Sequence, residues 1–268
     1  MNTQFFFGTE FRRRLTTALV GVPLVLLSVL IGKPVWDLLV VGVSFVCVLE
    51  LQRMISPGSR TGVVGMLAIT LACFISYNYP FILPLTLLVF FAAQFVRSFT
   101  LDGSKRQILL RHFLYASIGA LYIGLPLSLL LAVRGMDRGW EWTGIAFANN
   151  WATDGFALIG GRIAGHTKLA PRISPGKTVE GALIGLVVGF IFGMGFSLLV
   201  GLSVGKAVVA NVAIAILTEA GDLLESWIKR FFAVKDAGDI LPGHGGLLDR
   251  VDGMLLAGPA LYLMLRLL

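Results

Sequence analysis

Apolar residues fill this chain in long uninterrupted runs. They do not form the alternating pattern of strands or the one-sided stripe of a surface helix. A helix needs roughly 20 apolar residues to cross a hydrocarbon core. Runs of about that length recur from Leu15 to the C-terminus and place nine helical spans at about 15–31, 35–52, 62–78, 80–97, 111–133, 141–161, 180–202, 206–228 and 251–268. The short alternating strands of a membrane barrel are missing from the pattern. The expected fold class is all-α: a polytopic membrane protein of about nine transmembrane helices with a cytoplasm-facing polar cavity. Residues 1–140 supply about five spans, and residues 141–268 supply about four spans together with the polar chemistry. No small-residue cleavage site closes the first span, so it is expected to remain as a helix and not to be removed as a signal peptide.

Composition agrees with that class. Hydrophobic residues make up 56% of the chain and charged residues only 14%, against about 25% for a soluble domain. Cys47 and Cys73 both lie inside apolar spans and read as small core residues, not as a disulfide or metal pair. The net charge of +7 could suggest nucleic acid, but its distribution favours membrane topology. With the N-terminus placed in the cytoplasm, 17 of the 22 Lys and Arg residues fall on the inner side. Only Lys33, Arg134, Arg138, Lys206 and Arg266 fall outside. No nucleic-acid partner is expected.

The polar residues that interrupt the apolar runs are few and concentrated. In the first four spans, Glu50, Arg53 and Asp37 read as interfacial or snorkelling groups. The sixth span carries Asn149, Asn150 and Asp154 in its inner half, where a carboxylate costs roughly 2.5–3.5 kcal/mol on insertion scales. Such a residue faces a polar cavity or pairs with a neighbour such as Arg162. In the inner loop 162–179, Ser174-Pro175 reads as a helix N-cap followed by proline at the first helical position. That places Lys177 and Thr178 in the first turn, where free N–H groups and a lysine form a phosphate cradle. Gly176-Lys177-Thr178 is not a P-loop: the earlier glycine would fall at Pro171, and no strand is expected before it. Gly181, Gly185, Gly189 and Gly193 line one face of the seventh span and let another helix approach closely, within the chain or across a dimer.

The densest polar stretch is Glu219 to Asp252, with seven of the 15 acids and four of the 22 Lys/Arg in 34 residues. Glu219, Asp222 and Glu225/Ser226, then Lys229 and Arg230, follow each other at helical spacing on roughly one face. Carboxylates so placed repel, and a divalent cation would relieve the repulsion; Mg²⁺ favours one or two carboxylates plus substrate phosphates. The bland alternative is internal pairing of Asp222 with Ser226 and Glu225 with Lys229. Leu241-Pro-Gly-His-Gly-Gly246 then forms a turn that allows close backbone approach to a ligand, with Asp249, Arg250 and Asp252 behind it. Within it His244 reads as a hydrogen-bond donor more than a metal ligand.

These residues resemble a known signature. Ser226-x-x-Lys229-Arg230-x4-Lys235-Asp236-x4-Leu241-Pro-Gly-His-Gly-Gly-x-x-Asp249-Arg250-x-Asp252 is similar to that of the CDP-diacylglycerol synthases, or phosphatidate cytidylyltransferases. Ser174-Pro-Gly-Lys-Thr-Val-Glu-Gly181 and the block from Asp154 through Gly161-Arg162 resemble two further family blocks in the same order. Leu158 stands where the family often has tyrosine, and Gly253 where serine is common. The resemblance covers roughly 150–253 and implies transfer of a cytidylyl group from CTP to phosphatidate, giving CDP-diacylglycerol and pyrophosphate. The catalytic set expected from it is Asp222, Asp249, Lys229, Arg230 and His244. The substrate-binding set is Ser174, Lys177, Ser226, Lys235, Gly245, Gly246 and Arg250. The expected cofactor is Mg²⁺, with room for a second cation, on Asp222 and Asp249, and with Asp154, Glu219 and Asp252 as second choices. The expected partners are CTP, phosphatidate and membrane lipids; the resemblance also suggests a homodimer. The expected location is a bacterial-type cytoplasmic (inner) membrane, with the active site facing the cytoplasm. Two rivals fit some of the residues. A transporter or channel would explain Asp154, Glu219 and Asp222 but not the glycine-rich turn or the basic cluster, and no inverted repeat is evident. Another membrane lipid nucleotidyl- or phosphotransferase would differ only in its substrate.

Overall fold

The computed structural model describes residues 9–58, 60–238, 240 and 245–267, with 9–18, 60 and 61 described by backbone alone. Among the described residues nine helices follow in order: α1 (Thr9–Ile31), α2 (Val35–Ile55), α3 (Arg60–Ser76), α4 (Ile82–Ser98), α5 (Gly103–Arg134), α6 (Gly139–Ala164), α7 (Val179–Leu199), α8 (Val204–Phe231) and α9 (Leu248–Leu267). Each matches one of the nine apolar runs. Four of them, α2, α5, α7 and α8, are long and apolar enough to cross a membrane. Polar residues lower the mean hydropathy of α6 and α9, and α5 begins eight residues before its expected start because its first turns are polar.

Between α6 and α7 lies an antiparallel hairpin, β1 (Lys168–Ala170) with β2 (Ser174–Thr178). This corrects three expectations. Ser174 is not an N-cap, Lys177 is not in a helical turn, and a strand does precede Gly176-Lys177. The pairing of Lys168 with Thr178 and Ala170 with Ser174 holds this stretch extended, so α7 starts four residues later than Ser174-Pro175 suggests. Thr178 is its cap, with the hydroxyl accepting the Gly181 N–H at 3.1 Å. The P-loop reading still fails, because Pro171 occupies the glycine position.

The chain forms two compact units: residues 1–39 with 129–268, and residues 40–128. In the second unit Cys47, Leu51, Met66, Ile69, Cys73 and Ile123 are buried, and Ser56 Oγ lies 3.4 Å from His112 Nδ1. The first unit is built on α6, α7, α8 and α9. The glycine stripe of α7 is used inside this unit: a Cβ on Gly185 would sit 2.8 Å from Ala157 Cβ, and one on Gly181 would sit 2.8 Å from Gly161 Cα. Close backbone approach is what small residues contribute in a membrane, where water does not drive helices together.

The asparagines of the sixth run lock this unit. Asn149 Nδ2 donates to the Asn211 backbone oxygen and to Asn211 Oδ1, both at 2.9 Å. Asn211 Nδ2 donates in turn to Ser197 Oγ at 3.2 Å and to the Ala207 oxygen at 2.9 Å. Thr153 donates to Asn149 Oδ1 at 3.2 Å, and Thr218 to Asn150 Oδ1 at 3.0 Å. All of these residues are buried. A buried polar network satisfied in this way fixes helix register as well as position.

Candidate active site

The site is built where the C-terminal halves of α6 and α8 meet β2 and the start of α7. A cavity of about 420 Å³ is lined by Asp154, Leu158 and Arg162 from α6, Ser174, Lys177 and Thr178 from β2, and Glu219 and Asp222 from α8, among others. The acidic spacing of α8 points Glu219 and Asp222 toward one face, and the hairpin delivers Lys177 between them. Lys177 Nζ lies 2.8 Å from Glu219 Oε2 and 2.8 Å from Asp222 Oδ2. Burial by itself would lower the Lys177 pKa. The Asp222 and Glu219 carboxylates more than offset this and raise it, so the ammonium is held charged.

Two side chains hold the hairpin in place. Glu180, in the first turn of α7, accepts the backbone N–H groups of His166 and Thr167 at 3.1 Å. Arg230 donates from Nε to the Ile173 oxygen at 3.2 Å and from Nη1 to the Val234 oxygen at 3.3 Å. In this structure Arg230 therefore fastens the hairpin and the segment after α8. Glu180 acts on the Lys177 side by a contact that the sequence pattern did not assign to the site, although its position two residues after the Thr178 cap is a usable signal.

A second ionic cluster lies further along α8. Lys229 Nζ sits 2.5 Å from Glu225 Oε2 and 2.6 Å from Asp249 Oδ1. Asp249 Oδ2 accepts the Gly246 N–H at 2.8 Å and the Ala237 N–H at 3.2 Å. Gly245 has φ +79, and a Cβ there would stand 2.9 Å from Asp249 Oδ2. Its lack of a side chain thus serves the approach of this carboxylate. Asp249 precedes the apolar run of α9. The Lys229 ammonium and the Gly246 and Ala237 N–H groups together engage both of its oxygens. Glu225 is almost completely buried and was not among the expected site residues, although its spacing of four from Lys229 marked the pair.

The other expected residues fall as follows. Asp222 and Asp249 have different lysine partners, Lys177 and Lys229. Ser226 donates to Asp222 Oδ1 at 3.4 Å. Both contacts of the bland alternative, Asp222 with Ser226 and Glu225 with Lys229, are therefore present. Asp252 is buried and accepts the Gly253 N–H at 2.8 Å, within electrostatic reach of Asp222, Asp154 and Glu225. Arg250 is exposed and acts electrostatically on Asp154. Lys235 is exposed on the loop after α8. His244 and its neighbours 241–243 lie outside the described residues.

Among the described residues no group of three or more His, Cys, Asp or Glu side chains is arranged to hold a metal ion by itself. The residues nevertheless fit an ion shared with phosphates. Asp154 Oδ1 and Glu219 Oε1 are buried oxygens without a hydrogen-bond partner, and both residues line the cavity with Asp222. Hard carboxylate oxygens in small number, completed by phosphate, suit Mg²⁺.

Comparison with known proteins adds an independent line. The sequence profile of the Cytidylyltransferase family matches residues 12–268. A Bacillus subtilis protein named phosphatidate cytidylyltransferase is 30% identical over 275 aligned positions, covering 96% of this chain and 98% of its own. A Brucella abortus protein of the same name is 43% identical over 152 positions, 56% of each chain. One from Rickettsia felis is 34% identical over 156 positions, 55% of this chain and 69% of its own.

Proposed function

We infer function from a premise the full-length match establishes: the chain belongs to the Cytidylyltransferase family. Its reaction is cytidylyl transfer to phosphatidate, in which CTP and phosphatidate give CDP-diacylglycerol and pyrophosphate for phospholipid synthesis. The observation that carries this reading beyond the match is the cavity in which Lys177, held charged between Glu219 and Asp222, stands beside Ser174, Arg162 and Asp154. Such a cavity can receive anions while retaining carboxylates for a cation.

The chemistry asks for little base catalysis. A phosphomonoester is largely dianionic near neutral pH, its second pKa being about 6. A phosphatidate oxygen attacks the α-phosphorus of CTP, the bond from that phosphorus to the bridging oxygen breaks, and the electron pair leaves with pyrophosphate. The protein must bring two anions together in line and receive the charge that develops. Lys177 and Lys229 are the partly buried cations placed to do so. Ser174, Ser226, Arg250, Lys235 and His244 supply further donors, and Gly245 and Gly246 shape the backbone under Asp249. Arg230 acts by holding the hairpin that carries Lys177. We assign Mg²⁺ to Asp222 and Asp249, as the family resemblance implies, with Asp154 and Glu219, whose unpartnered oxygens lie in residues lining the cavity, and Asp252 as second choices; the ion would supply charge neutralisation for the departing pyrophosphate.

All nine helices are assigned as spans of a bacterial-type cytoplasmic (inner) membrane, N-terminus inside. Residues 1–140 form the N-terminal spans and residues 141–268 the catalytic region, whose cavity faces the cytoplasm, where CTP is. The acyl chains of phosphatidate then remain in the leaflet. A homodimer, suggested by the family resemblance, would need a face other than the α7 glycine stripe, which packs on α6. Substrate choice tests the reading: purified protein is offered CTP, ATP or UTP with phosphatidate, diacylglycerol or an isoprenoid phosphate. Lipid product is expected only from CTP with phosphatidate. Product from isoprenoid phosphate instead would reassign the lipid, and nucleotide-independent ion flux in vesicles would favour the transporter.

A further inference from the structure

A second cavity, also of about 420 Å³, lies at the other ends of the helices that build the active site. It is lined by Met136, Asp137 and Arg138 before α6, Leu202, Ser203 and Lys206 at the start of α8, and Leu261, Met264, Leu265 and Arg266 at the end of α9, with Trp142 and Ala210 between. The helices fix its distance from the active site. Arg138, the residue just before α6, to Asp154 on that helix, Lys206 to Asp222 on α8 and Arg266 to Asp249 on α9 are 16, 16 and 17 residues. Each corresponds to about 24–26 Å of helix axis. Three helices thus give one separation, close to the ~30 Å thickness of a hydrocarbon core. On the membrane orientation proposed above, the second cavity falls at the opposite membrane interface.

Its charge is unusual for that side. Of the five Lys and Arg residues that topology assigns there, three (Arg138, Lys206 and Arg266) line this cavity. Arg138 is engaged by the protein itself. It donates from Nε to Glu141 Oε1 at 2.9 Å, from Nη1 to the Gly201 oxygen at 3.1 Å, and from Nη2 to the Val200 oxygen. These bonds tie the α7–α8 turn to the start of α6 and form one wall. Lys206 and Arg266 stand on the other two helices, with Asp137 as the acidic member of the lining. Counting Glu141, the formal balance remains positive. The remaining walls, Trp142, Leu202, Ala210, Leu261, Met264 and Leu265, are apolar. Cationic and apolar side chains lining one cavity match an anionic phospholipid, with phosphate on the cations and acyl chain against the apolar residues.

We propose that this cavity binds the phosphate of an anionic glycerophospholipid in the leaflet opposite the active site, through Lys206 and Arg266. The site rests on the membrane orientation and not on turnover, so it stands or falls separately from the cytidylyltransferase reading. The test is native mass spectrometry of the full chain in detergent, titrated with dioctanoyl-phosphatidylglycerol, dioctanoyl-phosphatidylcholine or inorganic phosphate. One tightly retained phosphatidylglycerol is expected to weaken about ten-fold or more in the Lys206→Gln/Arg266→Gln double variant. It should persist in Lys206→Arg/Arg266→Lys, which keeps the charges, and in Asp222→Asn, which alters only the other end. Cytidylyl transfer by the double variant reports that it is folded. Equal retention of phosphatidylcholine, unchanged retention by the double variant, or inorganic phosphate binding as tightly as the lipid would each overturn the proposal.

Discussion

Replacing Lys177 by glutamine removes the cation that Glu219 and Asp222 share at 2.8 Å each. Two consequences follow, and they can be separated. The first is stability. Taking one partner from a buried ion pair costs about 3–5 kcal/mol, because the other charge is left buried. Lys177 and Glu219 side chains are 18% and 9% exposed, but Asp222 is 31% exposed and solvent screens its share. The lower end, about 3 kcal/mol, is the reasonable figure, equivalent to a midpoint about 6–12 °C lower in a thermal melt. The second is turnover: loss of a preorganised positive donor aimed at developing phosphate charge should lower kcat by about 10²–10³-fold. The assay pairs label transfer from α-labelled CTP with a melt of the same detergent-solubilised preparation. The double variant Lys177→Gln/Glu219→Gln discriminates further: it should recover part of the stability and none of the activity. Normal stability together with near-normal turnover in Lys177→Gln would refute the claim that this lysine organises the cavity. The pH dependence has a definite sign. The folded pKa of Lys177 is raised, so its stabilisation is complete below the ordinary lysine value of about 10.4 and is lost only as pH rises through the folded value. No alkaline fall in activity below about pH 10 should trace to Lys177.

Other expectations follow from the same geometry. Asp222→Asn and Asp249→Asn should each abolish turnover while leaving a monodisperse protein on size exclusion; near-normal activity in both would remove the two-aspartate assignment. Lys229→Ala should be far more damaging than Arg230→Lys, since Lys229 bridges Glu225 and Asp249 whereas Arg230 holds backbone oxygens that a lysine can partly satisfy; steady-state kinetics on the two would reverse that order if Arg230 touches substrate. Gly185→Val should cost about 1–3 kcal/mol by overpacking, because even a Cβ there meets Ala157 at 2.8 Å, and the loss should appear as a lower melting midpoint with a wild-type KM for CTP.

The helices are legible in the sequence because a run of apolar residues long enough to span a bilayer leaves little alternative to helix. Their polar ends are not: α5 starts at Gly103 through Ser104, Lys105 and Arg106, which no apolar pattern marks. The hairpin is hidden because Ser174-Pro175 reads locally as a helix start, and only the pairing with Lys168–Ala170 keeps it extended. Much of the site can be read from spacing: the α8 stripe does bring Glu219 and Asp222 to one wall, and the glycine stripe does mark a close helix contact. Spacing does not give Lys177 its partners, which lie 42 residues away along the chain for Glu219, nor show that Arg230 turns to the hairpin backbone. The asparagines of α6 stand out in the sequence as odd residues at membrane depth; that Asn149 locks to Asn211, itself bonded to Ser197, and Asn150 to Thr218 depends on three helices meeting.

The most direct test is one incubation of the purified protein in mixed micelles with phosphatidate, α-labelled CTP and Mg²⁺, with an EDTA control beside it. The account predicts label in the organic phase as CDP-diacylglycerol, pyrophosphate released in equal amount, and neither in EDTA. Folded protein that gives no organic label with any phosphatidate or divalent metal offered would contradict it.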